Sequence, residues 1–355
     1  INPTQFWQAY LLAYIFWLEI PLGCLGFVLL HHLVGGRWSA LIRRLLETGA
    51  MTLPLLALLF LPLVYAMPLL YPWANPAHVQ QSELLQQKTD WLNMPFFLGR
   101  SAFYFGVWLI LAYLLQRLSL AQDRTGAARL TGRMRRLSVI GMILYMLTAT
   151  FAAYDWLMSL EPEWFSSIYG LLWIAGQALA ALSLAIIGLN GVAKAQGMHQ
   201  RWVKSFNDLG NFLLGFVMIW AYFSYSQFLV IWSANIPEEG IWYVALFLIA
   251  IHFVLPFILL LSRTIKRSPR WLTLLALLIF LGRAVDLYWL MVPAFYPEGF
   301  HFHWLALALW FAIGGGWMTM FIWQWQGKDA LPRHDPHLGE SYEKHEEFIP
   351  AEQTG

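Results

Sequence analysis

Four acids, a histidine and two arginines fall inside, or at the mouths of, long apolar runs: Glu19, Asp155, Asp208, Asp286, His252, Arg100 and Arg283. An ionisable side chain costs several kcal/mol inside a bilayer and marks a functional site by default. With a rise of about 1.5 Å per residue, position along a run translates into depth. Glu19 and His252 then fall near the midplane. Asp155 and Asp286 lie well past it toward one face, Asp208 at the opposite mouth, and Arg100 at the mouth nearer Asp155. Acids spread over the whole depth are suited to proton relay. Glu19 has no charged partner on its own helix, which predicts a relay carboxyl or a hydrogen-bonded structural acid. Arg283 precedes Asp286 by three residues, so the two share a helix face and pair. That pair reads equally as a neutralised strut or as a gated proton site. His252 is expected to be a hydrogen-bonded core histidine rather than a ligand.

The runs that must position these groups dominate the chain. Its 355 residues are 59% hydrophobic and 12% charged, against roughly 25% charged in soluble domains. Nine segments are long enough to span, at 9–33, 50–71, 97–117, 138–160, 168–193, 207–232, 241–262, 271–292 and 303–325. The expected fold is an all-α polytopic membrane protein with nine transmembrane helices. Pro54, Pro62 and Pro68 predict a kinked or broken second helix, because proline lacks a backbone donor. Gly314-Gly315-Gly316 in the last segment predicts close helix packing or a kink.

Loop charges alternate. One set carries Arg37, Arg43 and Arg44, then Arg117 to Arg136, Lys194 to Lys204, Arg263 to Arg270, and Lys328 onward. The other holds one basic residue, Lys88, among Glu83, Asp90, Glu161, Glu163, Glu238, Glu239 and Glu298. The positive-inside rule puts the basic side and the C-terminus in the cytoplasm and residue 1 outside. An inside–inside topology would need a further helix before Ile1. His31-His32 is expected at the inner interface, and the tail from Gly327 is expected to be solvated, with a partner-docking strap as the alternative.

Asp155 follows Arg136 by 19 residues, and Asp286 follows Arg267 by the same 19. This spacing predicts two tandem four-helix bundles, 1–160 and 161–292, a peripheral helix in 293–326 and a polar tail in 327–355. A single cysteine, Cys24, excludes an internal disulfide and any cluster or thiolate metal site held by this chain alone, and there is no Cys-x-x-Cys-His haem site. Only His252 is deep, so a buried bis-histidine haem is not expected, nor is a metal site.

Phe6-Trp7-Gln8-Ala9-Tyr10-Leu11, Leu22-Gly23-Cys24-Leu25, His31-His32-Leu33 and above all Tyr154-Asp155-Trp156-Leu157-Met158-Ser159-Leu160-Glu161-Pro162 carry a resemblance. Over essentially its whole length the chain resembles the second large membrane subunit of bacterial alternative complex III, within the NrfD/polysulfide-reductase membrane-anchor family. The resemblance implies ten helices in two four-helix bundles, and a place in a quinol:cytochrome c, or other acceptor, oxidoreductase of the bacterial inner membrane. It implies partners: a sister membrane subunit, an iron–sulfur/molybdopterin-like subunit and multihaem c subunits, which hold the clusters and haems. This chain would then carry no redox centre, touch the quinone or menaquinone pool and the lipid bilayer, bind no nucleic acid, and have moving protons as its task; the path expected from residue depth alone, not from any family motif, is Glu19, Asp155, Asp208, His252, Arg283 and Asp286. Three other readings stay open. One is a quinol site at Asp155, or at Arg100 and Tyr104. The others are a stand-alone secondary transporter, for which midplane acids and repeats also fit, and a structural scaffold.

Overall fold

The computed structural model describes residues 2–233, 246–296 and 301–339. All regular structure among them is helical. Ten helices matter here: α1 (Pro3–Val34), α2 (Arg43–Ala50), α3 (Leu53–Leu70), α4 (Met94–Thr125), α5 (Arg129–Trp156), α6 (Tyr169–Ala195), α7 (Val203–Ser233), α8 (Leu246–Leu261), α9 (Pro269–Met291) and α10 (Trp304–Trp325). Eight spans, counting α2 and α3 as one, are long and apolar enough to cross a membrane among the described residues, and α8 is a shorter apolar helix. The chain is an all-α, multi-pass membrane protein. The expected seventh segment, 241–262, lies partly outside the described residues.

Local chemistry sets the boundaries. Asn2 and Asn93 cap α1 and α4, accepting the N–H of Thr4 and of Phe96 at 3.0 Å. Gly126 closes α4 in the left-handed region, its N–H on the Gln122 carbonyl. The second span starts earlier than expected, at Arg43, and breaks at Met51–Thr52 rather than at its later prolines. Pro54 falls in the first turn of α3, where its missing N–H is tolerated, and it has no donor for the Ala50 carbonyl that a continuous helix would require.

The centre of the molecule is α1 against α6, whose apolar windows are 89% and 78% buried, against 22% for α7 and for α10. A β-carbon on Gly23 of α1 would fall 2.1 Å from the Gln177 carbonyl oxygen of α6, so only glycine allows this approach. Around that axis α1 packs on α2, α3, α5 and α10; α4 packs on α5; and α6 packs on α5, α7 and α9. The α10 helix lies against α1 through Trp17, whose indole donates to the Trp310 carbonyl at 2.8 Å. Of the three glycines in α10, Gly314 faces the Trp17 ring, while Gly315 and Gly316 have no neighbour within 4 Å of an added β-carbon. Lipid tails are as apolar as leucine, so such packing and interhelical hydrogen bonds hold the helices together.

Candidate functional site

Each deep acid meets a partner that lies far away in sequence. Glu19, wholly buried on α1, takes two hydrogen bonds from Arg283 of α9: Nε to Oε2 at 2.9 Å and Nη2 to Oε1 at 2.6 Å. Arg283 Nη1 donates to Asp286 Oδ2 one turn on, and that oxygen also accepts the Trp220 indole N–H of α7 at 2.8 Å. The i,i+3 pair expected from the sequence therefore forms. Glu19 does not stand without a charged partner; its ion pair crosses helices, where spacing along one helix carries no signal. Two carboxyls share one guanidinium. The triad carries a charge of −1 with both ionised and is neutral with one added proton, and a site that alternates between these states is a proton-loading site. A buried net charge is costly in such surroundings.

The guanidinium needs room. A β-carbon on Gly176 of α6 would fall 2.3 Å from Arg283 Cζ. Gly176→Ala is expected to destabilise the protein by about 1–3 kcal/mol through overpacking. Gly191→Ala on the same helix has open space and should be neutral or slightly stabilising. Unfolding of both variants in mixed detergent micelles checks this.

His252 lies beside the triad in a π-helical turn, Ile249–Val254, a distortion found often at functional sites. It is 1% exposed and 4.6 Å from the Trp220 ring, edge to face. Neither ring nitrogen has a hydrogen-bond partner among the described residues, contrary to the expected bonded core histidine.

A second cluster sits at the end of α5. Asp155 is wholly buried and held by Arg100 of α4 through two bonds of 2.8 Å, by the Tyr104 hydroxyl at 2.7 Å and by the Trp91 indole at 3.2 Å. The Arg100 guanidinium also lies over the rings of Trp91 and Phe96, at 4.2 and 4.3 Å. Arg100, Tyr104 and Asp155, named above as possible head-group contacts, thus satisfy one another. The Tyr154–Pro162 string is built around this lock: Trp156 donates to Ser101 at 3.0 Å, and Trp73 to Ser159 at 3.1 Å.

At the opposite, basic face Asp208 pairs with Arg37 at 2.8 Å, both partly exposed. They line an open cleft of about 390 Å³ with Trp38, Asn211 and Phe212.

A third charged cluster was not foreseen. Arg43 and Arg44, expected in a loop, are each 1% exposed on α2. Arg43 binds Glu47, Ser119 and Asp335; Arg44 binds Glu47 and Asp123. His31 reaches Asp335 at 3.0 Å. The tail over 327–339 is therefore not solvated throughout: Asp335 is 5% exposed, and Leu331 and Leu338 pack on the core. The only sequence signal was two leucines flanking an acid in a polar tail. Burial opposes ionisation of Asp335, but the His31 hydrogen bond and the Arg43 charge prevail and hold its carboxyl well below the usual value. A depressed carboxylate contributes stability that is present above its unfolded value, 3.8, and is lost only as pH falls through the lower folded value. With His31, Arg43, Glu47 and Asp123 around it, this carboxyl should keep the tail amides slow in hydrogen exchange down to pH 4.

A scan of protein-family models finds no match to the chain, and no curated protein matches it significantly.

Proposed function

We propose that the chain is an integral membrane subunit of an alternative-complex-III-type quinol oxidoreductase and contributes a proton path coupled to quinol oxidation. The observation that supports this most is the buried Glu19–Arg283–Asp286 triad, with two carboxyls to one guanidinium and beside it a histidine that has no hydrogen-bond partner among the described residues. The Tyr154–Pro162 string supports the family. In this reading residues 1–160 and 161–292 are two related four-helix units, and the triad joins α1 of the first to α9 of the second. Protons are taken up from the cytoplasm near Asp208, loaded at the triad with His252, and released on the outer side toward Asp155, with water bridging the gaps. Quinone or menaquinone comes from the bilayer, and haem c and iron–sulfur clusters reside in partner subunits. The host membrane is the inner membrane of a bacterium, with the basic loops and C-terminus cytoplasmic and residue 1 outside.

A quinol head group at Asp155 is the weaker reading, since it would have to displace Arg100, Tyr104 or Trp91 from the carboxylate. The test is proton release per electron in purified, fully assembled complexes. Asp286→Asn should lower the ratio while electron transfer continues. Wild-type ratios in both Asp286→Asn and Asp155→Asn complexes would defeat the reading, and a lone chain active in transport without haem- or cluster-bearing partners would replace it.

A further inference from the structure

At the basic face two helices converge side-chain donors on one carboxylate, and a third braces one of those donors. Asp335 Oδ2 accepts Arg43 Nη1 of α2 at 2.8 Å and lies 3.0 Å from His31 Nε2 of α1. Each donor is fixed from behind. Arg43 Nε is tied to Glu47 at 2.9 Å, and its Nη2 to Ser119 and Gln122 of α4 at 2.9 and 3.3 Å. The second nitrogen of His31 meets the Ser39 hydroxyl at 2.6 Å. Every one of these groups is buried. Remove the carboxylate, and two pre-aimed polar groups face an unfilled hole, which is costly for each. The other Asp335 oxygen accepts the His337 backbone N–H at 2.9 Å, shaping the tail's own turn.

The rest of the tail follows that anchor. The backbone N–H of Arg333 donates to Asp123 at 3.1 Å. His337 packs on Gly35 and His334 on Gly126, the glycines that end α1 and α4 with φ of 69° and 63°. The segment leaves α10 at Gly327, with φ 74°, and the Arg333 side chain is exposed; the buried Asp335 carboxylate, the Arg333 N–H on Asp123, buried Pro332 and the packed Leu331 and Leu338 hold it. The Arg37–Asp208 cleft on the same face is open by contrast.

We propose that α1, α2 and α4 form a carboxylate-binding cradle, that Asp335 of the chain's own tail is its occupant, and that residues 327–339 are a reversible plug over that end of the first helical unit. The plug shields Ser39 and His31 from water. Its release leaves the Arg43 guanidinium and the His31 ring without their carboxylate partner, a site that a small carboxylate such as formate can refill. This holds whether or not the chain moves protons.

The test uses the full chain in nanodiscs with Ser39→Cys as reporter; the buried Cys24 serves as internal control. A membrane-impermeant maleimide should label the introduced thiol about tenfold or more faster after Asp335→Ala, the scale of one charge-assisted hydrogen bond. Asp335→Asn, which keeps the shape, should show the same direction. Added formate should slow labelling of the Asp335→Ala protein by refilling the cradle, and chloride at equal ionic strength should not. Unchanged labelling in both variants would overturn the plug, as would unprotected amide exchange over 328–338 in the parent. Faster labelling that formate does not reverse would overturn the carboxylate site.

Discussion

Arg283→Met should be among the most damaging single substitutions in this protein. It leaves Glu19 and Asp286 buried without their shared cation, and breaking a buried pair costs about 3–5 kcal/mol. The loss should be largely conditional. Adding Glu19→Gln and Asp286→Asn removes both uncompensated charges, so the triple variant should recover much of the lost stability. Gln and Asn keep the shape and the capacity to hydrogen-bond, and replacing a whole buried ionic group is often close to neutral. Equilibrium unfolding in mixed micelles, run as a cycle over the three positions, reads the coupling directly. A triple variant no more stable than Arg283→Met alone would mean that the arginine acts by packing and not by charge. The same cycle bears on function: the triple variant should fold, yet have no carboxyl left at the triad to carry a proton.

Substitutions at Arg100 should have comparable effects. Arg100→Ala strands the wholly buried Asp155 carboxylate, again about 3–5 kcal/mol. Arg100→Lys is not conservative here. Lysine keeps the charge but cannot match the two-pronged bond to Asp155, and it gives up the flat guanidinium that lies over the Trp91 and Phe96 rings. A cation over an aromatic face contributes about 0.5–2 kcal/mol, so Arg100→Lys should fall between wild type and Arg100→Ala. The tryptophan fluorescence of Trp91 should change in both variants, because its indole N–H bonds Asp155 and its face meets Arg100. An Arg100→Lys protein as stable as wild type would show that charge alone holds the lock.

How much of this was legible before folding depends on the range of each interaction. Arg283–Asp286 was visible because both lie on one helix, three residues apart. Glu19–Arg283 was not, because 264 residues separate them and neither local sequence points at the other. Asp155 was visible as an anomaly, and Arg100 and Tyr104 were picked out near it, yet only as contacts for something else. Arg43 and Arg44 resemble loop charges because an Arg-Arg pair beside an apolar run ordinarily marks a membrane boundary. Burial reverses that meaning: with Glu47, Asp123 and Asp335 around them they are the interior of a cluster.

The sequence alone determined that this is a helical, multi-pass membrane protein, along with most helix positions, the deep ionisable residues and the Arg283–Asp286 pair. These follow from run length, local backbone chemistry and spacing within one helix. Only the tertiary structure decided that α1 and α6 form the axis, that Arg283 is shared between two acids, that His252 lacks a partner among the described residues and that Asp335 closes over His31 and Arg43. In a membrane helix the faces toward lipid and toward protein are equally apolar, so the sequence pattern does not show which way a helix turns. The rotation of each helix about its own axis selects the partners, and that rotation is set by all the helices packing together.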